Sequence, residues 1–220
     1  MKTAFICFAN SKKYGERCIS GIAVGKSDSG HVSFLKDNNR PKWIRPITNV
    51  QHGEIPAKLV KDIKILDIVG LEITQNCPNG YQSENVLFKP KSLKIISSIK
   101  PSRNNLNKLI DGSHTTLFGN TGKAVSVEHI NNLNYSLIFI KPQSFEVHEN
   151  CYAFVRRVRG RFEYNGSLYD LPITDVSFLQ TLSNGVPFFS QDNVYLTISL
   201  GIEFEGWHYK LIAGVIFATE

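Results

Sequence analysis

Residues Arg156–Asp175 read RRVRGRFEYNGSLYDLPITD. Asn165-Gly166 is a strong two-residue hairpin turn, because both residue types tolerate positive φ. The chain on either side, up to Tyr164 and over Ser167–Thr174, reads as two paired strands. Period-two alternation places Arg157, Arg159 and Arg161 on one face and Val158, Gly160, Phe162 and Tyr164 on the other. The apolar face reads as core. The arginines recur every ~6.8 Å, two strand rises, close to the reach between successive phosphates of an extended single strand. Guanidinium groups suit phosphate because their donors form a planar fork. Asp175 is placed to N-cap a helix over Val176–Leu182, which Asn184-Gly185 can end.

Further strands lie on both sides of this unit. Tyr195–Phe204 and Trp207–Ala218 form a second hairpin around Glu205-Gly206, and Ala124–Ile130, Tyr135–Lys141 and Tyr152–Tyr164 precede it. The order is strands, a short helix, then two more strands. It matches the five-stranded Greek-key barrel of the OB-fold. The first half offers a similar set: Ala4–Ala9, Arg17–Val24, Lys42–Ile47, Ile63–Thr74, Val86–Phe88 and Lys94–Ile99, with Ala57–Lys61 as the nearest helix candidate. Lys100–Asn107 is polar and leads into a short helix at Leu106–Ile110, closed by Asp111-Gly112. The expected fold is mainly β, two tandem small β-barrels of OB-fold type with short helices. The expected divisions are 1–103, a linker with a short helix over 104–123, and 124–220. A single β-sandwich is the competing architecture.

Charge is unevenly distributed. Residues 1–110 hold 18 Lys+Arg against 8 Asp+Glu, and residues 111–220 hold 7 against 11. Four of those seven basic residues fall between Arg156 and Arg161, so the cluster runs against its surroundings. The overall formal charge of +6 is compatible with a polyanion partner. Two readings of the arginine strand stand side by side. It contacts phosphate, or it forms a cross-strand ion-pair ladder with Glu163, Asp170 or Glu146.

Two more basic sites join the candidates. The loop Asn10–Arg17 carries Lys12, Lys13, Tyr14 and Arg17, and in an OB barrel it joins the first two strands. Tyr14 could stack on a base there. Trp43 and Arg45 share a strand face, and an arginine beside an aromatic ring is a common base-stacking pair. The alternatives are an ordinary solvated turn for the first, and Trp43 in the core with Arg45 capping the barrel for the second. Lys89, Lys91, Lys94 and Lys100 read as a solvated surface. In Trp207–Lys210, alternation sets Trp207 and Tyr209 against His208 and Lys210, and packing is the expected role of the aromatics.

Several function classes lack their signatures. No GxxxxGK[ST], HExxH, GxSxG or GxGxxG occurs. The six histidines have no ligand spacing, and Cys7, Cys18, Cys77 and Cys151 form no CxxC pair. No catalytic residue, metal or cofactor is expected. The cysteines fit a reducing cytoplasm. The apolar run Ala4–Ala9 is too short for a secretory signal, and no run is long enough to span a membrane.

The chain resembles the dual OB-containing domain family of prokaryotic proteins. The resemblance rests on Phe5–Gly21 (FICFANSKKYGERCISG), Trp43–Thr48 (WIRPIT), Val158–Asp175 (VRGRFEYNGSLYDLPITD) and Tyr195–Val215 (YLTISLGIEFEGWHYKLIAGV). It implies two OB barrels and a nucleic-acid-binding role, often in bacterial conflict settings, and supplies no catalytic residues. The leading expectation is a non-catalytic module that binds single-stranded DNA or RNA. A protein-interaction adaptor and a nucleotide or small-ligand sensor are the alternatives.

Overall fold

Two consecutive residues with positive φ, Tyr14 (47°) and Gly15 (80°), turn β1 (Lys2–Lys13) back onto β2 (Glu16–Lys26). That is the geometry that matches the right-handed twist of a hairpin. The expected loop Asn10–Arg17 is therefore only two residues long, because alternation continues to Lys13 and resumes at Glu16. The computed structural model describes residues 1–26, 32–38, 40–112, 114–152, 155–185 and 193–220. It divides into two units, Met1–Lys100 and Pro101–Glu220.

The first unit adds β3 (Val32–Phe34), β4 (Lys36–Asp37), β5 (Arg40–Pro41), β6 (Trp43–Ile47), β7 (Asp67–Asn76), β8 (Asn85–Phe88) and β9 (Lys94–Ser98). Five strands close on themselves in the order β1-β2-β6-β8-β7-β1, every pair antiparallel except β6 and β8. Helix α1 (Ala57–Val60) lies in the chain between β6 and β7, the third and fourth barrel strands in sequence order. Its Val60 joins Phe5, Cys7, Ile19, Ile55 and Val69 in the core. Gly21 is required where β1 and β2 cross closely, since a Cβ there would overlap the carbonyl oxygen of Ile6. Beside it, the register of β1 shifts between Cys7 and Ala9.

The second unit contains α2 (Arg103–Asn107), β10 (Ala124–Ser126), β11 (Leu137–Ile140), β12 (Ser144–Tyr152), β13 (Val155–Tyr164), β14 (Ser167–Pro172), α3 (Val176–Ser183), β15 (Val194–Phe204) and β16 (Trp207–Phe217). Two sheets form, β10-β16-β15-β11 and β12-β13-β14. β11 pairs with β15 while β12 pairs with β13, so these two act as one first strand bent at residues 141–143. The sheets meet again where Ile173 bridges Ile212 in parallel and the Thr174 amide donates to the Ile212 carbonyl. The strand order repeats that of the first unit, as a half-barrel. Gly160 opens space on the inner face of β13; a Cβ there would lie 2.6 Å from Ile212 Cδ1 and 2.7 Å from Phe145 Cε2.

The fold class is therefore as expected, with local differences. The sequence assigns no element to most of β12, because Glu146, His148, Glu149 and Asn150 mask the alternation of Phe145 and Val147. The helix expected at Leu106–Ile110 instead spans Arg103–Asn107, because Ser102 caps it through the Asn105 amide. Over residues 104–123, Leu106, Leu109, Leu117 and Phe118 are buried. Asp175 caps α3 as expected, accepting from the Phe178 amide at 3.1 Å.

Candidate functional site

The outer face of β13 holds the arginines. Phe162 and Tyr164 are buried and Gly160 packs inward, so alternation turns Arg157, Arg159 and Arg161 outward. Register sets Arg157 beside Asn150, Arg159 between His148 and Pro172, and Arg161 between Glu146 and Asp170. The central arginine is engaged. Arg159 Nε donates to Asp170 Oδ1 at 2.7 Å, and its terminal nitrogen donates to the Asp170 carbonyl at 2.6 Å. His148 Nε2 lies 3.2 Å from the same carboxylate oxygen. Burial alone would raise the Asp170 carboxyl, but Arg159 and His148 outweigh it and hold it below its ordinary value. Arg157 and Arg161 are exposed and form no ion pair among the described residues.

The ion-pair reading thus holds for Arg159 alone. One carboxylate neutralises one arginine, and two guanidiniums remain open on either side of it. They stand four residues apart, ~14 Å along the strand. Glu163 lies opposite Ser144 and Leu168 and takes no arginine among the described residues. The side chains of Arg156 and Tyr152 lie outside the described residues.

The basic residues of the first unit are less uniform. Lys12 is exposed, directly across from half-buried Arg17. Lys13 is half-buried; burial lowers its ammonium, and nearby Arg45 lowers it further against the opposing pull of Cys18 and Glu54. Tyr14 is 58% exposed and stacks on His52 with centroids 4.1 Å apart. Arg45 departs from the base-stacking reading. It is 2% exposed and lies 3.0 Å from Glu84 Oε1, itself buried. Trp43 packs edge-on against Phe8. The second basic site is therefore mainly structural, because a buried guanidinium needs its carboxylate.

The family model described as the dual OB-containing domain matches residues 3–215. The chain belongs to that family. No curated protein matches it. Among solved structures it is similar to the tetrameric p202 HIN2 crystal structure, with 8% identity over 100% of this chain and 92% of that one and a TM-score of 0.31, too low to carry an argument. Among the described residues no helix is long and apolar enough to cross a membrane.

The last hairpin of the second OB unit reverses the expected sides. Trp207 is 47% exposed, whereas His208 and Lys210 are buried. The Lys210 amine donates to the Asn120 carbonyl at 2.8 Å and to Asn120 Oδ1 at 2.9 Å. It also sits 5.4 Å from the centre of the Tyr169 ring. Burial lowers its pKa to about 7. His208 Nδ1 lies 3.1 Å from the Gly201 carbonyl. No local signal marks this inversion, because the partner of Lys210 lies 90 positions away.

Proposed function

We propose that the chain is a non-catalytic module that binds single-stranded nucleic acid through the outer face of its second OB unit, in a reducing cytoplasm. The observation that carries this reading is the pair of exposed guanidiniums, Arg157 and Arg161, flanking the fixed Arg159 on β13. β13 is the second strand of its OB unit, and the face of strands two and three is where the fold usually takes oligonucleotides. Fixing Arg159 to Asp170 keeps the central guanidinium in place, while its neighbours stay open to phosphate. Lys12, Arg17 and Tyr14 at the β1–β2 turn offer a second, weaker contact in the first unit.

Anisotropy of labelled single-stranded DNA and RNA at two salt concentrations tests this. Each phosphate contact contributes about 0.7 to the slope of log K against log salt for single strands. Replacing Arg157 and Arg161 together with Ala should weaken binding at least tenfold and make that slope shallower by about 1.4. Binding equal to wild type at low salt would show that the arginine face is not the contact.

A further inference from the structure

The tip of the β15–β16 hairpin presents two large aromatic rings to solvent. Phe204 and Trp207 are cross-strand neighbours, 59% and 47% exposed. Glu205 (φ 51°) and Gly206 (φ 82°) make the two-residue turn between them, and the Gly206 amide donates to Glu203 Oε1 at 2.6 Å. The tip is thus a held turn, and rings in water there serve no core. Trp207 also forms one wall of a groove of about 660 Å³, within the ~300–1,000 Å³ typical of small-ligand sites. Phe118, Val127 and Leu133 supply more apolar wall.

The groove's remaining lining selects among ligands. Ser126 Oγ and His129 Nδ1 lie 2.8 Å apart, and Asn132 adds an amide. Among the described residues no Lys or Arg lines the groove, and Glu128 contributes a carboxylate. A phosphate would meet no cation and one like charge there. A flat, uncharged heterocycle with hydrogen-bonding edges fits both the rings and the polar groups. The groove is also preformed. Asn120, in its wall, is tied by Lys210, by its own Nδ2 to the Ala124 carbonyl at 3.1 Å, and by the Gly122 amide at 2.8 Å. The Val127 amide donates to the Gly206 carbonyl, joining the opposite wall to the hairpin turn.

We infer that this groove is a nucleobase subsite, in which an unpaired base stacks on Trp207 and offers its edge to Ser126, His129 and Asn132. The inference rests on the nucleic-acid reading and adds a division of labour to it: arginines for the backbone, groove for a base. Base-aromatic stacking of this kind tolerates sequence, because every base has a π-face.

The test uses a short single-stranded oligonucleotide and the same backbone made abasic, each titrated into the full chain. The normal strand should quench tryptophan emission and bind about tenfold tighter than the abasic one. Trp207→Leu, which keeps an apolar side chain at an exposed tip, should erase both the quenching and the difference, leaving the emission of Trp43. Equal affinity for the two strands without quenching would overturn the subsite and leave the arginine face standing. If Trp207→Leu weakens the abasic strand as much as the normal one, stacking is likewise wrong. Binding of neither strand by the wild type would overturn the subsite together with the function it rests on.

Discussion

Lys210 and Arg45 show how far a single side chain can depart from its type. Both are cations enclosed by the fold, and each is met by a group distant in sequence: Asn120 for Lys210 and Glu84 for Arg45. Local pattern cannot reveal such pairing, so Arg45 read as a base-stacking residue or a barrel cap, and Lys210 as the outer side of its hairpin. Arg159 was half-legible, since Asp170 lies in the same hairpin and stood among its expected partners. Lys210 also has a consequence for stability. Its folded-state pKa of about 7 lies well below the ordinary lysine value of 10.5. Between these values the unfolded chain binds more protons, so stability rises with pH across that window. Below about pH 7 the folded state must hold the buried charge. The melting temperature of the wild type relative to Lys210→Met should therefore increase from about pH 7 to about pH 9.5. A constant difference would mean that the amine titrates normally.

At the scale of elements, the turns were the most legible features. Asn165-Gly166 turns β13 onto β14 with two positive φ values, 48° and 74°, and Asp175 caps α3 where the sequence placed it. β12 was hidden, because its polar residues gain strand geometry only by pairing with β13. Two glycines in central strands do different work, and substitution should separate them. At Gly160 a new methyl meets the ends of Ile212 and Phe145. Those can shift, so Gly160→Ala should cost ~1–3 kcal/mol of overpacking. At Gly21 it meets the backbone of Ile6, which cannot shift without parting β1 from β2. Chemical denaturation of the two variants should rank Gly21→Ala as the more destabilised; the opposite order would refute this account of the β1–β2 crossing.

Across the whole molecule, the same strand order is built twice with different closure. The first unit closes through full ladders, including the parallel pair β6–β8. Among the described residues the second has a single bridge at the equivalent place, Ile173 to Ile212. The repeat was legible because each half places a helix candidate after a first set of strands and before at least two more. The incomplete closure was not, since it depends on how far β14 runs beside β16. Asp175 compensates in part. While Oδ1 caps α3, its Oδ2 accepts from the Val215 amide of β16 at 2.9 Å. One carboxylate thus ties together a helix start and a strand that no ladder joins at that point. The Phe178 and Val215 amide protons consequently share a single gate. In native-state hydrogen exchange they should open with one common free energy and one common pH response, and Asp175→Ala should release both at once while leaving the β1–β7 amides of the first unit unchanged. Independent exchange of the two would show that the carboxylate does not couple them.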